Sequence, residues 1–262
     1  MKKKVLIPIF LMVVAVMTLS FTADHSIKLR LNPKQGKVYV INSKSTQTTV
    51  MNVQGQTVRS TQSVDVRQSF KVTENSATKN VFATQIEAVK MAVSAMGMNL
   101  TYDSDHPENT SPILADQTGE IDRILNKSTT LTYNKLGQNS NPNDISMSQL
   151  SNVIIELPEE EVHVGSKWSY VKSQNVSNYD VNVNMTYTVT GISKKSVDVS
   201  FTGAINTKDI SGTYSGTASI NPQTGVVMSG TISNDISATI TEQGFVIPTT
   251  ITGTTTISVK EL

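Results

Sequence analysis

The feature that most constrains this chain is a hydropathy period of two. From Thr57 to Thr73 the even positions Val58, Val64, Val66, Phe70 and Val72 are apolar. The odd positions Arg59, Thr61, Ser63, Asp65, Arg67, Ser69 and Lys71 are polar. Successive side chains of a strand point to opposite faces, so this is one long half-buried strand. Val53-Gln54-Gly55-Gln56 reads as the turn that pairs it with the run Val38 to Met51. The last third repeats the pattern. Val181, Val183, Met185, Tyr187 and Val189 share one face, and Val197, Val199, Phe201 and Ile205 the next. Ile210, Tyr214, Ala218 and Ile220 follow, then Val226, Met228, Ile232, Ile236, Ala238 and Ile240, and finally Phe245, Ile247, Ile251, Ile257 and Val259. Five strands joined by short polar turns predict an antiparallel meander with one wet face.

Composition agrees with a wet face of that kind. Ser and Thr supply roughly a quarter of the positions, well above ordinary usage, and Thr combines strand propensity with a hydroxyl that water satisfies. The chain has no cysteine, which excludes a disulfide scaffold, a Cys-ligated zinc site and a thiol enzyme. With 22 basic and 21 acidic residues among 262 there is no electrostatic footprint for nucleic acid. Lys2, Lys3 and Lys4 followed by the apolar run Val5 to Met17 read as a secretory signal peptide over residues 1–20, with cleavage after Ser20. Removing those three lysines leaves 19 basic against 21 acidic residues, a mature charge of −2. The expected location is the periplasm or the cell exterior, without a lipid anchor, since no cysteine lies near the cleavage point. No later stretch reaches the about 20 apolar residues of a membrane span.

Between the alternating regions, Asp144 is placed to cap a short helix bearing Met147, Leu150, Val153 and Ile154. The expected organisation is a first antiparallel unit at 24–108, a connector with a hairpin and that helix at 109–161, and a second unit at 162–262. The units echo each other. Gly36-Lys37-Val38-Tyr39 corresponds to Gly165-Ser166-Lys167-Trp168, and Phe70-Lys71-Val72-Thr73 to Tyr187-Thr188-Val189-Thr190, with new strands opening at Val81 and Val197. The offset of about 116 to 129 residues suggests two copies of one β unit. The fold expected is all-β: long-stranded meander sheets, two related units, and a curved sheet or open barrel with one short helix in the connector.

Leu157-Pro158, the run Val164-Gly165-Ser166-Lys167-Trp168 and the turn Asn221-Pro222-Gln223-Thr224-Gly225 carry a resemblance. With the signal peptide and the paired strands, the chain resembles an uncharacterised family of secreted Bacteroidota proteins, domain of unknown function 6263, over most of the mature chain. The resemblance implies no assigned activity and transfers no catalytic residue.

Gly203, Gly212, Gly216, Gly230 and Gly253 share the parity of the apolar residues in their strands. Hairpin geometry places Gly203 near Gly212, Gly216 opposite Gly230, and Gly253 beside Ile232. Strand glycines mark bends or close approaches, so one reading is a crease that lets long strands curl. A second is the floor of a cavity for a hydrophobic molecule or lipid, with Phe201, Tyr214 and Ile232 beside the five glycines. A third has the helix around Leu150 filling the groove.

Other chemistry is sparse. Asp103-Ser104-Asp105-His106-Pro107-Glu108 lacks a second His in ligand spacing and the Gly and Glu of a calcium loop, so it reads as a solvated polar loop. Ser76-Ala77-Thr78-Lys79 has an acyl-transfer spacing but sits in a predicted hairpin turn. No catalytic, cofactor or metal constellation follows from the sequence. The function expected is a non-catalytic envelope protein binding a hydrophobic ligand or partner segment on a concave apolar face. The alternative is a structural or protein-interaction β domain with a filled core, and a hydrolase ranks last.

Overall fold

A computed structural model describes residues 26–115, 119–140, 150–176, 179–242 and 245–262. The signal-peptide assignment and the Asp144 cap with Met147 lie outside these residues. The strands are β1 (Val38–Val53), β2 (Gln56–Asn75), β3 (Lys79–Ala95), β4 (Met98–Asp103) and β5 (Ser128–Asn134). They continue with β6 (Lys167–Val176), β7 (Tyr179–Ile192), β8 (Val197–Asn206), β9 (Ile210–Ile220), β10 (Val227–Glu242) and β11 (Phe245–Glu261). Short helical turns α1 (Pro112–Ala115), α2 (Gly119–Ile124) and α3 (Leu150–Val153) lie between β4 and β6. The β1–β2 turn is built by Gln54 and Gly55, both at positive φ (50° and 81°). That pair of dihedrals matches the twist of the strands it joins.

All eleven strands form one antiparallel sheet in the order β4-β3-β2-β1-β11-β10-β9-β8-β7-β6, with β5 continuing the β4 edge along β3. The alternating hydropathy places this sheet's apolar side inward, and the sheet curves without closing into a barrel. The two β-rich regions join in its middle, where β1 pairs with β11 from Tyr39↔Glu261 to Met51↔Thr249.

The main core lies along one face of the sheet from β3 across to β7. Tyr39, Ile41, Phe70, Val72 and Phe82 meet Val183, Val189, Val197, Val199 and Ile220 through a shared filling. Two segments outside the eleven strands provide that filling. Leu29 and Leu31 are fully buried, and Val153, Ile154, Ile155 and Leu157 are at most 6% exposed. A smaller core of Ile86, Val89, Tyr102 and Leu114 sits at the β3–β4 edge, covered by α1 and α2.

One local construction occurs twice. Gly36 N donates to Val72 O (2.8 Å) and Val72 N to Lys37 O (2.9 Å); Gly165 N donates to Val189 O (2.8 Å) and Val189 N to Ser166 O (2.9 Å). The register shifts just after Val72 and just after Val189. At each bulge a threonine hydroxyl donates across it, Thr73 to Val81 O (3.0 Å) and Thr190 to Asp198 O (3.1 Å). The turns match too: Ser76 N donates to Lys79 O (2.9 Å) and Ser193 N to Ser196 O (2.8 Å).

Candidate functional site

The glycines stand on the inner face, but the register differs from the sequence expectation by two residues. Gly216 pairs with Ile232 and with Phe201, not with Gly230. Gly203 pairs with Tyr214, and Gly212 with Ile205 and Ile236. Gly230 lies between Ala218 and Ile257, while Gly253 lies between Asn234 and Gln47, not beside Ile232. The cause is in the connections. In β9–β10 the turn closes with Asn221 N donating to Val226 O, one residue beyond the expected register, and a bulge between Val227 and Ser229 adds a second; the β8–β9 turn closes over Thr207 to Ile210. A two-residue slip keeps every side chain on its face, so the inner-face assignment survives the register error.

Each glycine therefore faces a large neighbour across the ladder, and the band is not empty. A Cβ at Gly216 would strike Thr231 O and stand 2.5 Å from Phe201 Cζ. At Gly212 it would stand 2.6 Å from Asp235 O and 2.8 Å from Ile236 Cα. At Gly203 it would overlap Met185 Sδ. Close approach of side chain and backbone explains the glycines, so the crease accounts for them better than an open floor.

A cavity of about 100 Å³ does remain between the sheet and the covering segment. Of the eight sequence candidates, Phe201, Tyr214, Gly230 and Ile232 line it; Gly203, Gly212, Gly216 and Gly253 do not. Its roof includes Asn152 of α3 and Ile155 just after it, so the segment around Leu150 occupies much of the groove. The Trp168 indole fastens that segment by donating to Glu156 O (2.9 Å), and Leu157 N donates to Leu136 O (2.8 Å).

An aromatic ladder flanks the cavity. Trp168 stacks on Tyr187 at 5.2 Å, Tyr170 on Tyr187 at 5.6 Å, and Tyr187 meets Phe201 at 5.3 Å. The Tyr170 and Tyr187 hydroxyls are 3.1 Å apart. Burial holds both phenols above the ordinary tyrosine range, so they act as neutral hydrogen-bonding groups at neutral pH.

The polar motifs resolve into surface structure. Asp103 pairs with Lys90 (3.0 Å), Asp105 with Arg67 (3.5 Å), and His106 Nδ1 lies 3.2 Å from Glu108 Oε1. Ser76 Oγ bonds the Lys79 backbone, while Lys79 Nζ turns to Glu74 (3.1 Å). The acyl-transfer spacing thus forms a hairpin turn with no Ser–Lys side-chain contact. The helix around Leu150 filling the groove is one of the three sequence readings. None of them includes the fastening role of Trp168, whose signal was only an aromatic at a strand start.

Comparisons with known proteins speak to the fold. No curated protein matches the sequence. The lipovitellin structure, described for its lipid–protein interactions, has a TM-score of 0.54 at 10% identity, covering 87% of this chain and 26% of lipovitellin. The chain thus spans about a quarter of that protein's length. An outer membrane channel from Pseudomonas putida F1 aligns over 87% of this chain and 97% of its own at 8% identity, with a TM-score of 0.28. The translocator domain of the autotransporter NalP from Neisseria meningitidis aligns over 86% of this chain and 90% of its own at 9% identity, with a TM-score of 0.22. Only the first supports a likeness, and that likeness is of fold alone. From the end of β5 through most of β10, residues 134–238 match the family of unknown function DUF6263, so the resemblance carried by the Leu157, Gly165–Trp168 and Asn221–Gly225 motifs holds over that stretch.

Proposed function

We propose that the protein is a non-catalytic, exported cell-envelope protein that holds part of a hydrophobic molecule against the inner face of its sheet. The cavity bounded by Phe201, Tyr214, Ile232 and Ile155 is the observation that carries this reading. Its volume of about 100 Å³ lies below the roughly 300–1,000 Å³ of sites that enclose a drug-sized ligand. It suits the end of an acyl chain, with the rest of the molecule outside. The fold likeness to lipovitellin, whose structure concerns lipid–protein interactions, supports the same class.

A second reading has a specific observation behind it. Val153, Ile154, Ile155 and Leu157 are buried against the sheet, as in a structural or protein-binding domain whose core is filled by its own chain. Native mass spectrometry of the purified mature protein separates the two. The binding reading expects a co-purifying apolar adduct that disappears in Ala218→Ile, which fills the cavity, while the fold is retained. A clean apo mass together with no uptake of a hydrophobic dye rejects binding and leaves the filled-core reading.

A further inference from the structure

Three cations from two distant parts of the chain gather in a concave bowl of about 620 Å³. Lys28 and Arg30 come from the segment before β1, Lys135 follows β5, and the rim adds Ser76, Pro222 and Gln223 from two hairpin turns. The segment is held by the Asn221–Gly225 turn. Asn32 N donates to Thr224 O (2.8 Å), and Gly225, at φ 69°, packs so closely that a Cβ would stand 2.7 Å from Arg30 C. The turn that marks the family resemblance therefore presents the basic segment.

No carboxylate neutralises these groups: among the described residues none forms an ion pair with Lys28, Arg30 or Lys135. Lys135 Nζ instead donates to three amide oxygens, Asn75 Oδ1 (2.5 Å), Asn80 Oδ1 (3.2 Å) and Asn32 Oδ1 (3.3 Å). Asn80 is fully buried and oriented by its own donation to Leu31 O (2.9 Å), and Asn75 donates to Pro33 O (2.8 Å). These dipoles solvate the ammonium without cancelling its charge. Arg30 spends three of its five N–H groups on Leu29 O (2.6 Å), Pro158 O (2.9 Å) and Glu159 O (2.6 Å). Two remain for a ligand, and the backbone bonds fix the plane of the guanidinium. A pre-oriented Arg beside uncompensated lysines suits a tetrahedral oxyanion.

We propose that this bowl binds a phosphate- or sulfate-bearing ligand, independently of the apolar cavity. Partial burial holds Lys135 below the ordinary lysine range, and a neighbouring oxyanion removes that penalty.

Calorimetry on the full mature chain, with inorganic phosphate, pyrophosphate and sulfate as probes, tests the site. Co-sedimentation with phosphatidylglycerol against phosphatidylcholine vesicles tests a headgroup source. The discriminating variants are Gln223→Glu and Lys28→Gln, because both side chains are exposed and neither makes a bond within the described residues. Saturable binding is expected, weakening with salt and about tenfold weaker in Gln223→Glu. The melting temperature without ligand should be unchanged in both variants. Binding to soluble anions assigns a free oxyanion, and preference for phosphatidylglycerol assigns a lipid headgroup. Absence of both, or binding indifferent to both substitutions, overturns the proposal.

Discussion

The β1–β2–β3 hairpins and the β6–β7–β8 hairpins share one construction and end in different interiors. Each starts at a glycine of positive φ, Gly36 at 85° and Gly165 at 92°. Each stacks an aromatic pair, Tyr39 on Phe70 at 4.8 Å and Trp168 on Tyr187 at 5.2 Å. Each carries its bulge under a threonine. One rung further they part. Thr84 pairs with Phe70, and its hydroxyl accepts from buried Gln68 (2.5 Å). At the matching place Phe201 pairs with Tyr187 and leans over Gly216. The first interior closes on a polar contact; the second closes on an aromatic over a missing side chain and leaves the cavity beside it. A common frame thus fixes strand geometry, while the residues one rung above the bulge decide whether space remains.

The most damaging way to break this comparison is Gly216→Val. The new side chain meets Thr231 O and the Phe201 ring, and denaturant titration is expected to show a loss of about 3 kcal/mol, the upper end for overpacked sites. Stability within about 0.5 kcal/mol of the parent refutes the close-approach account. A milder test removes the shared staple. Thr73→Val and Thr190→Val are each expected to cost about 1 kcal/mol, the net worth of one hydrogen bond, and to cost the same. Unequal losses would show that the two bulges are not equivalent. The smallest effect concerns position in the sheet. Lys37 reaches Glu261 of β11 at 3.0 Å and holds that carboxyl below its ordinary value of 4.5. A depressed folded-state pKa stabilises above the unfolded value and loses that contribution as pH falls through the folded one. For so exposed a pair the contribution is a few tenths of a kcal/mol. Lys37→Met should flatten the acid slope of stability slightly, and Lys167→Met, at the start of β6, should leave it unchanged.

Period two made the long strands, their inner faces and the β1–β2 turn readable in the sequence, because each rests on neighbours one or two residues away. Register was harder. Gly216 pairs with Ile232 and not Gly230 because neither the closing point of the β9–β10 turn nor the bulge at Val227–Ser229 leaves a local pattern. Leu29 and Leu31 alternate with Lys28 and Arg30 as in a strand, and Val153 to Leu157 is a short apolar run, but neither pattern says that these segments leave the ladder and fill the space the curved sheet leaves uncovered. Gln68 breaks the apolar face of β2, and its burial becomes intelligible once Thr84 is seen beside it. Lys28 and Arg30 share one side of an extended segment, but Lys135 joins them only through the long-range bond from Leu31 N to Lys135 O (2.9 Å), which no spacing rule encodes. Of the glycine stripe and its neighbours, only Phe201, Tyr214, Gly230 and Ile232 line the cavity, because parity selects a face but not the rung on which space remains.

The seam between β1 and β11 has a kinetic consequence. These neighbours are separated by nearly the whole described chain, and the first contact of the seam carries the loop-closure cost of that separation. Sheets dominated by such distant pairings fold slowly. The β1–β4 and β6–β10 meanders can form from local hairpins, yet each keeps an unpaired inner edge until β11 arrives between them. A chain arrested before Phe245 would expose the long edge of β1 and that of β10 together, the geometry that invites strand exchange with another molecule.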